Sequence, residues 1–377
     1  MTLEFGVFSF GDTYPHPSTG VRQSARDSLR DLLERIRLAD ELGFDYYGVG
    51  EHHRSDFSVS AVSTVLAAAA SITARIRLGT ATTVLTTDDP VRLYEQFATL
   101  DLLSGGRAEL GVGSGVFPEP FLLFGGSLDE RRAVFDDKLD LLLAIDENER
   151  VSYDGTNRPA LADAQVWPRA LTGHLDIWVA ASASEASLRR AARLGLNVQT
   201  SATGSDLHEL APLVALYRAE SSAHGWPAGR RRVAIGAHGI VDTDDRSAID
   251  SFYPHYRDYV GGMRVNRGKP APSRDSYDTL VADRESAVFA GSPQRVVDKI
   301  LHQHAIVGHD RQLFQIDWRA VPQLTQLRTI ELIGTQVLPA VRAELGGSAT
   351  THPSGSNTPT FHDSTREGAT HHQGVFS

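Results

Sequence analysis

The chain has 377 residues, 41% hydrophobic and 22% charged, with a formal net charge of −10 and no cysteine. Such a composition suits a globular protein with ample chain for a large core. It excludes disulfides, thiolate metal sites and cysteine nucleophiles, and with Arg230-Arg231-Arg232 as its one basic run, read as a solvated strand edge, it argues against a nucleic-acid partner.

Leu3 to Phe8 reads as a short apolar strand, and Gly11 to Gly20, with Asp12, Pro15 and Pro17, as a loop. Leu29, Leu32, Leu33, Ile36 and Ala39 mark one helix face that Gly43 closes. Tyr46 begins a strand that ends in Gly50-Glu51-His52-His53, followed by a polar loop and an alanine-rich helix from Val59 to Thr73. Ile76 to Leu85 is the third strand. Pro90 opens a helix that Ser104-Gly105-Gly106 ends. Ala108 to Val112 is the fourth strand, running into Gly113-Ser114-Gly115. Phe117 to Gly126 reads as an aromatic loop, Asp129 to Ile145 as a helix, and Asn148 to Asp176 as an insertion with little periodicity.

Strands over 177–180, 197–200, 232–241 and 313–316 then alternate with helices over 185–194, 206–223, 294–307 and 322–345. Residues 252–285, with Gly261-Gly262, Pro270 and Pro272, read as irregular. Eight strand–helix units predict a closed (β/α)₈ barrel with insertions over 1–345. Residues 346–377 are Ser, Thr, Gly, Pro and His with few aliphatics, so a disordered tail is expected. No stretch reaches the roughly 18 apolar residues of a membrane span. The start of the chain lacks a basic then apolar leader, so a cytoplasmic protein is expected.

A parallel barrel carries its chemistry at the carboxyl ends of its strands. That points first to Glu51 and His52. Adjacent residues on a strand face opposite ways, so His52 and His53 do not readily grip one metal ion, and no metal is expected. An imidazole there suits proton transfer beside a ligand, set against a plain strand-end role. In Gly111-Val112-Gly113-Ser114-Gly115 the spacing is not that of a dinucleotide loop. It reads either as a close approach of backbone to a flat ligand or as a strand-to-loop turn. Ala181-Ser182-Ala183-Ser184 lies between a strand end and a helix start, where Ser182 or Ser184 suits a phosphate seat or a helix cap. A nearby cation would assist, and Arg132, at the first turn of the fourth helix, is a candidate. His302, His304 and His309 are spread around a helix end and read as surface.

Gly50-Glu51-His52-His53, Leu78-Gly79-Thr80-Ala81-Thr82-Thr83-Val84-Leu85, Asp89-Pro90-Val91-Arg92, Leu103-Ser104-Gly105-Gly106-Arg107 with Gly111-Val112-Gly113, Phe124-Gly125 and Ala290-Gly291-Ser292-Pro293 occur in one order. In these stretches the chain resembles the luciferase-like flavin-dependent oxidoreductases over roughly Met1 to Leu345. The resemblance implies reduced FMN at the strand ends and a two-component monooxygenase. Such an enzyme takes its reduced FMN from a separate NAD(P)H:flavin reductase, uses O2, oxygenates a small organic substrate, and often forms a homodimer. It implies Glu51 near the flavin, His52 as the catalytic imidazole, a cis peptide at Ala81-Thr82, Gly113 against the ring, and phosphate contacts from Arg132, Ser182 and Ala181. Ser114 stands where luciferase has a phosphate-touching arginine. Two other readings are a deazaflavin-dependent hydride transferase on the same barrel and a flavin carrier without turnover.

Overall fold

The computed structural model describes residues 2–181, 184–201, 206–265 and 268–346; the expected tail beyond Gly346 lies outside the described residues. Eight parallel strands form one closed ring. They are β1 (Glu4–Ser9), β2 (Tyr46–Val49), β3 (Arg77–Thr80), β4 (Ala108–Gly113), β5 (Asp176–Ala180), β6 (Asn197–Ser201), β7 (Val233–His238) and β8 (Arg311–Gln315). β8 returns to β1 with Glu4 opposite Arg311. The ring also carries the β3–β4 pairing of Leu78 with Ala108 and Gly79 with Glu109. The expected (β/α)₈ barrel is borne out.

In chain order the longer helices are α1 (Ala25–Glu41), α2 (Val62–Ala70), α3 (Pro90–Ser104), α4 (Arg131–Glu147), α5 (Glu185–Leu194), α6 (Leu207–Ala223), α7 (Asp245–Val265), α8 (Arg274–Ala282), α9 (Pro293–Val307) and α10 (Gln323–Leu332), and a last short helix runs over Leu338–Glu344. α3 shows how sequence sets their ends. Asp89 accepts hydrogen bonds from the Val91 and Arg92 N–H groups, Pro90 takes the first turn, and Gly105 closes the helix at φ 72°. Of the alanines of α2, Ala69 and Ala70 are buried in the core between barrel and helices, while Ala68 is exposed. No helix among the described residues is long and apolar enough to cross a membrane.

The barrel interior is layered. At its amino-terminal end Glu4, Glu109 and Asp176 meet Arg77, Arg232 and Arg311. Arg311 grips Glu109 with two bonds of 2.7 and 2.9 Å. Its guanidinium lies 4.4 Å from the rings of both Tyr46 and Trp178. Above this plug Tyr46 crosses the barrel and packs with Phe8, Trp178 and Leu313. The next layer is the mouth.

Closure depends on Gly111. Thr80 Oγ1 donates to the Gly111 carbonyl and accepts from its N–H at 2.9 Å. A Cβ on Gly111 would sit 2.2 Å from the Thr80 carbonyl oxygen, which is backbone and does not swing aside. Gly111→Ala is therefore expected to destabilise by about 1–3 kcal/mol, measured as a lower urea midpoint at unchanged slope.

Several expectations need correction. Residues 252–285 are not irregular but hold most of α7 and all of α8. Ala248, Phe252, Tyr256 and Tyr259 recur at helical spacing, and the first three are buried in a cluster with Tyr277 and Trp318. Gly261 and Gly262 do not break α7; a Cβ on Gly262 would meet the Arg319 guanidinium at 2.7 Å. Within the 148–176 insertion, Arg150–Tyr153 and Leu161–Gln165 form an antiparallel pair. The Phe117–Gly126 loop contains a short helix, Glu119–Phe124. Arg232 is not at a solvated edge, since it is 8% exposed and bound to Asp176 and Glu4. His309 is buried too, bonded to Gln312 at 3.1 Å.

Candidate active site

The carboxyl ends of the strands open into a cleft of about 1160 Å³. β2 stops at Val49, and the next residues turn across the mouth. The Glu51 N–H donates to the Thr82 carbonyl at 3.2 Å. Its carboxylate accepts from the Val84 N–H at 3.1 Å and contacts His53 Nε2 at 2.8 Å. Glu51 thus staples the end of β2 to the segment after β3. In that segment Ala81-Thr82 is a cis peptide, as the resemblance implied.

His52 and His53 part company, as neighbours on an extended chain do. His53 turns to Glu51 and the edge of Phe124, 4.9 Å away. His52 turns into the cleft. Its ring stacks on Phe57 at 4.0 Å and lies 4.6 Å from Phe10 and 5.6 Å from Phe117. It is 8% exposed, and its Nδ1 has no hydrogen-bond partner. Burial pushes its pKa down to about 4, so the ring is neutral near pH 7. A neutral imidazole of this kind has its Nδ1 free to meet a ligand.

Gly113, Ser114, Ala81 and Thr82 all line the same cleft. The reason for glycine at 113 lies in the protein itself. A Cβ there would meet Thr82 Oγ1 at 2.7 Å, so the residue lets β4 pass the cis segment and need not be explained by a ligand. The backbone carbonyl of Ser114 accepts from Thr86 Oγ1 at 3.0 Å.

The expected phosphate seat is rearranged. Ser182 lies outside the described residues. Ala181 lines the cleft, but its N–H is engaged by the Gln199 carbonyl at 3.1 Å and is not offered to a ligand. Ser184 caps α5, its Oγ accepting from the Ser187 N–H. Ser187, one turn in, lines the cleft instead. Arg132 does reach the cleft from the first turn of α4, exposed and without an ion pair among the described residues. Arg193, at the last turn of α5, joins it. Arg189 and Arg190 line the same wall but are held by Glu185 and Glu220, and by Asp136 and Asp140.

Arg193 was missed although Arg189 and Arg193 are four apart on one helix, spacing that puts both on one face. Tyr259, Met263 and Arg319 also line the cleft. Tyr259 comes from α7 and stacks on Trp318 at 4.2 Å, which docks that helix over the mouth.

The sequence model of the luciferase-like monooxygenases matches residues 3–315. The chain is 29% identical to the uncharacterized protein y4vJ of Sinorhizobium fredii, over 92% of this chain and 99% of that one. It is 28% identical to 4-hydroxyprotoasukamycin monooxygenase of Streptomyces nodosus subsp. asukaensis, over 84% of this chain and 87% of the relative. The monooxygenase RslO1 of Streptomyces bottropensis superposes with a TM-score of 0.77 at 27% identity, over 90% of this chain and 99% of the other.

Proposed function

The chain belongs to the luciferase-like monooxygenase family, and on that premise we propose that it oxygenates a small organic substrate with O2 and reduced FMN held in the barrel mouth. The observation that carries this reading is His52, neutral, unpaired at Nδ1 and walled by Phe10, Phe57 and Phe117, beside the cis peptide Ala81-Thr82.

The residues suit FMN. The cleft joins a small-residue floor, made of Ala81, Gly113, Ala180 and Ala181, to an outer wall bearing Arg132, Arg193 and Ser187. A planar ring needs the first and a phosphate the second. Arg132 and Arg193 would hold the phosphate, and Ser114 would contribute at most a hydroxyl. Bound reduced FMN supplies two electrons, so that one oxygen atom of O2 goes to the substrate and the other leaves as water. His52 takes or gives the proton at the reacting end through its unpaired nitrogen. Glu51 positions that end of the cleft through its bonds to Val84 and Thr82. The three phenylalanines and Tyr259 exclude water from it.

In this reading residues 1–345 are the catalytic domain, and a separate NAD(P)H:flavin reductase delivers the reduced flavin. Anaerobic titration with reduced FMN, followed by oxygenated buffer, tests the proposal. Saturable binding and oxygen uptake are expected. Arg132→Ala should weaken reduced FMN about 10–100-fold, the worth of one charge-assisted bond. No binding of reduced FMN, with tight binding of a reduced deazaflavin, would replace the proposal by hydride transfer.

A further inference from the structure

Beside the large cleft lies a second chamber of about 450 Å³, inside the usual range of roughly 300–1,000 Å³ for small-molecule sites. It opens into the large cleft, since the two share Ala81, Thr82, Ala180, Ala181, Phe10 and Tyr259, so the cis segment and most of the small-residue floor are common to both. Their chemistry differs. The large cleft is lined by the arginines that a phosphate requires, whereas no charged side chain lines the small chamber among the described residues. The phosphate-bearing molecule therefore belongs to the first.

One side of the chamber is aromatic, with Phe8, Phe10, Tyr259 and Trp318. The other carries Gln199, Thr200 and Gln315. Gln315 lies in β8 two residues beyond the inward-facing Leu313, so its side chain also points into the barrel. Gln199 lies in β6 two residues beyond Asn197, whose amide reaches Asp176 in the plug, so it points inward as well. Gln315 is 6% exposed, and neither amide has a hydrogen-bond partner among the described residues. An unpaired amide at such depth is unfavourable unless something in the chamber bonds to it. Aromatic rings on one side select a flat π-surface, and the absence of charge rejects an ion whose desolvation nothing would offset.

We infer that this chamber holds the substrate, and that the substrate is an uncharged planar aromatic molecule carrying a hydrogen-bonding oxygen directed at Gln315 and Gln199. The inference rests on the proposed placement of the flavin in the large cleft. It sets specificity in residues that do not touch the phosphate wall. Gly236 sets the size of the space, since a Cβ there would meet Thr200 and Phe8 only at ordinary contact distances of 3.6 to 3.8 Å.

The test is calorimetric titration of the full chain with 1-naphthol, naphthalene and naphthalene-1-sulfonate, each without and with FMN. One saturable site for 1-naphthol is expected, at least about tenfold tighter than either analogue, the worth of one satisfied buried hydrogen bond. It should persist when FMN is bound. Gln315→Leu should weaken 1-naphthol about tenfold, leaving naphthalene and FMN within twofold. Gly236→Ala, which disturbs no hydrogen bond, should weaken both neutral probes by narrowing the chamber. The inference is overturned if 1-naphthol does not bind, if the sulfonate binds as tightly, or if FMN displaces 1-naphthol. It is equally overturned if Gln315→Leu weakens FMN and not 1-naphthol, because the chamber then holds the flavin ring. Loss of the flavin reading looks different: FMN fails to bind, while 1-naphthol binds and responds to Gln315→Leu.

Discussion

His52→Ala is expected to lower product formed per reduced flavin consumed by about 10²–10⁴-fold, the usual worth of a positioned proton-transfer group. Reduced FMN should still bind, because the residues assigned to its phosphate, Arg132 and Arg193, lie on α4 and α5, away from His52. Flavin would then be oxidised without product, and hydrogen peroxide would account for the oxygen consumed. The pH profile separates this role from a merely structural one. Burial lowers the His52 pKa to about 4, so the charged ring appears only as pH falls through that value. Between pH 5.5 and 8 the group should stay neutral, and product formation should show no limb from it. A limb near the ordinary histidine value of about 6.5, absent in His52→Ala, would mean that the ring is solvated in the working enzyme. Equal product yield in the variant would remove His52 from the chemistry.

The strand–helix alternation was legible because each unit is written locally. A short apolar run, a turn and an amphipathic stretch recur, and Pro90, Gly105 and Ser292-Pro293 punctuate them. Glu51, His52, Ala81, Thr82 and Gly113 were legible as site candidates for a related reason. They follow or end strands, and in a parallel barrel all such ends meet at one mouth. The cover was written in the sequence as well, in the spacing of Ala248, Phe252, Tyr256 and Tyr259. The Gly261-Gly262 pair, Pro270 and Pro272 argued against helix there, and packing against Trp318 overrode the glycines. Other parts had no local signal. Arg132 and Arg193 reach the same wall only after α4 and α5 are laid side by side on the barrel. The Ala181 N–H was offered to a phosphate because nothing in the sequence says that Gln199 takes it. Arg232 was read with its two neighbours as surface, because a run of three arginines does not reveal that the third enters the barrel.

Arg311→Ala is expected to destabilise the fold by about 3–5 kcal/mol, the cost of breaking a buried pair from one side. Its removal leaves Glu109, 1% exposed, with Arg77 at 3.0 Å as its remaining close cation. It also strips the guanidinium from between Tyr46 and Trp178, so packing is lost along with charge. The six ionised groups of the plug sum to zero, three carboxylates against three guanidinium groups, and the variant leaves a net negative charge inside the barrel. Arg311→Met combined with Glu109→Leu removes one of each sign and fills the space with apolar atoms. That double variant should therefore be more stable than Arg311→Ala, well short of the additive loss of its two parts. The sign with pH follows from Glu109. Although burial alone would raise its pKa, Arg311 and Arg77 hold it down at about 2, against an ordinary glutamate value near 4.3. Its contribution is full above the unfolded value and is lost as pH falls through about 2. Burial pushes the Asp176 carboxyl up, which opposes this in part. Urea midpoints of the wild type should fall as pH is lowered from 5 to 2, and those of Arg311→Ala should fall less. Parallel curves for the two proteins would mean that Arg77 alone suffices to keep Glu109 ionised, and that the cost of the substitution is packing around Tyr46 and Trp178.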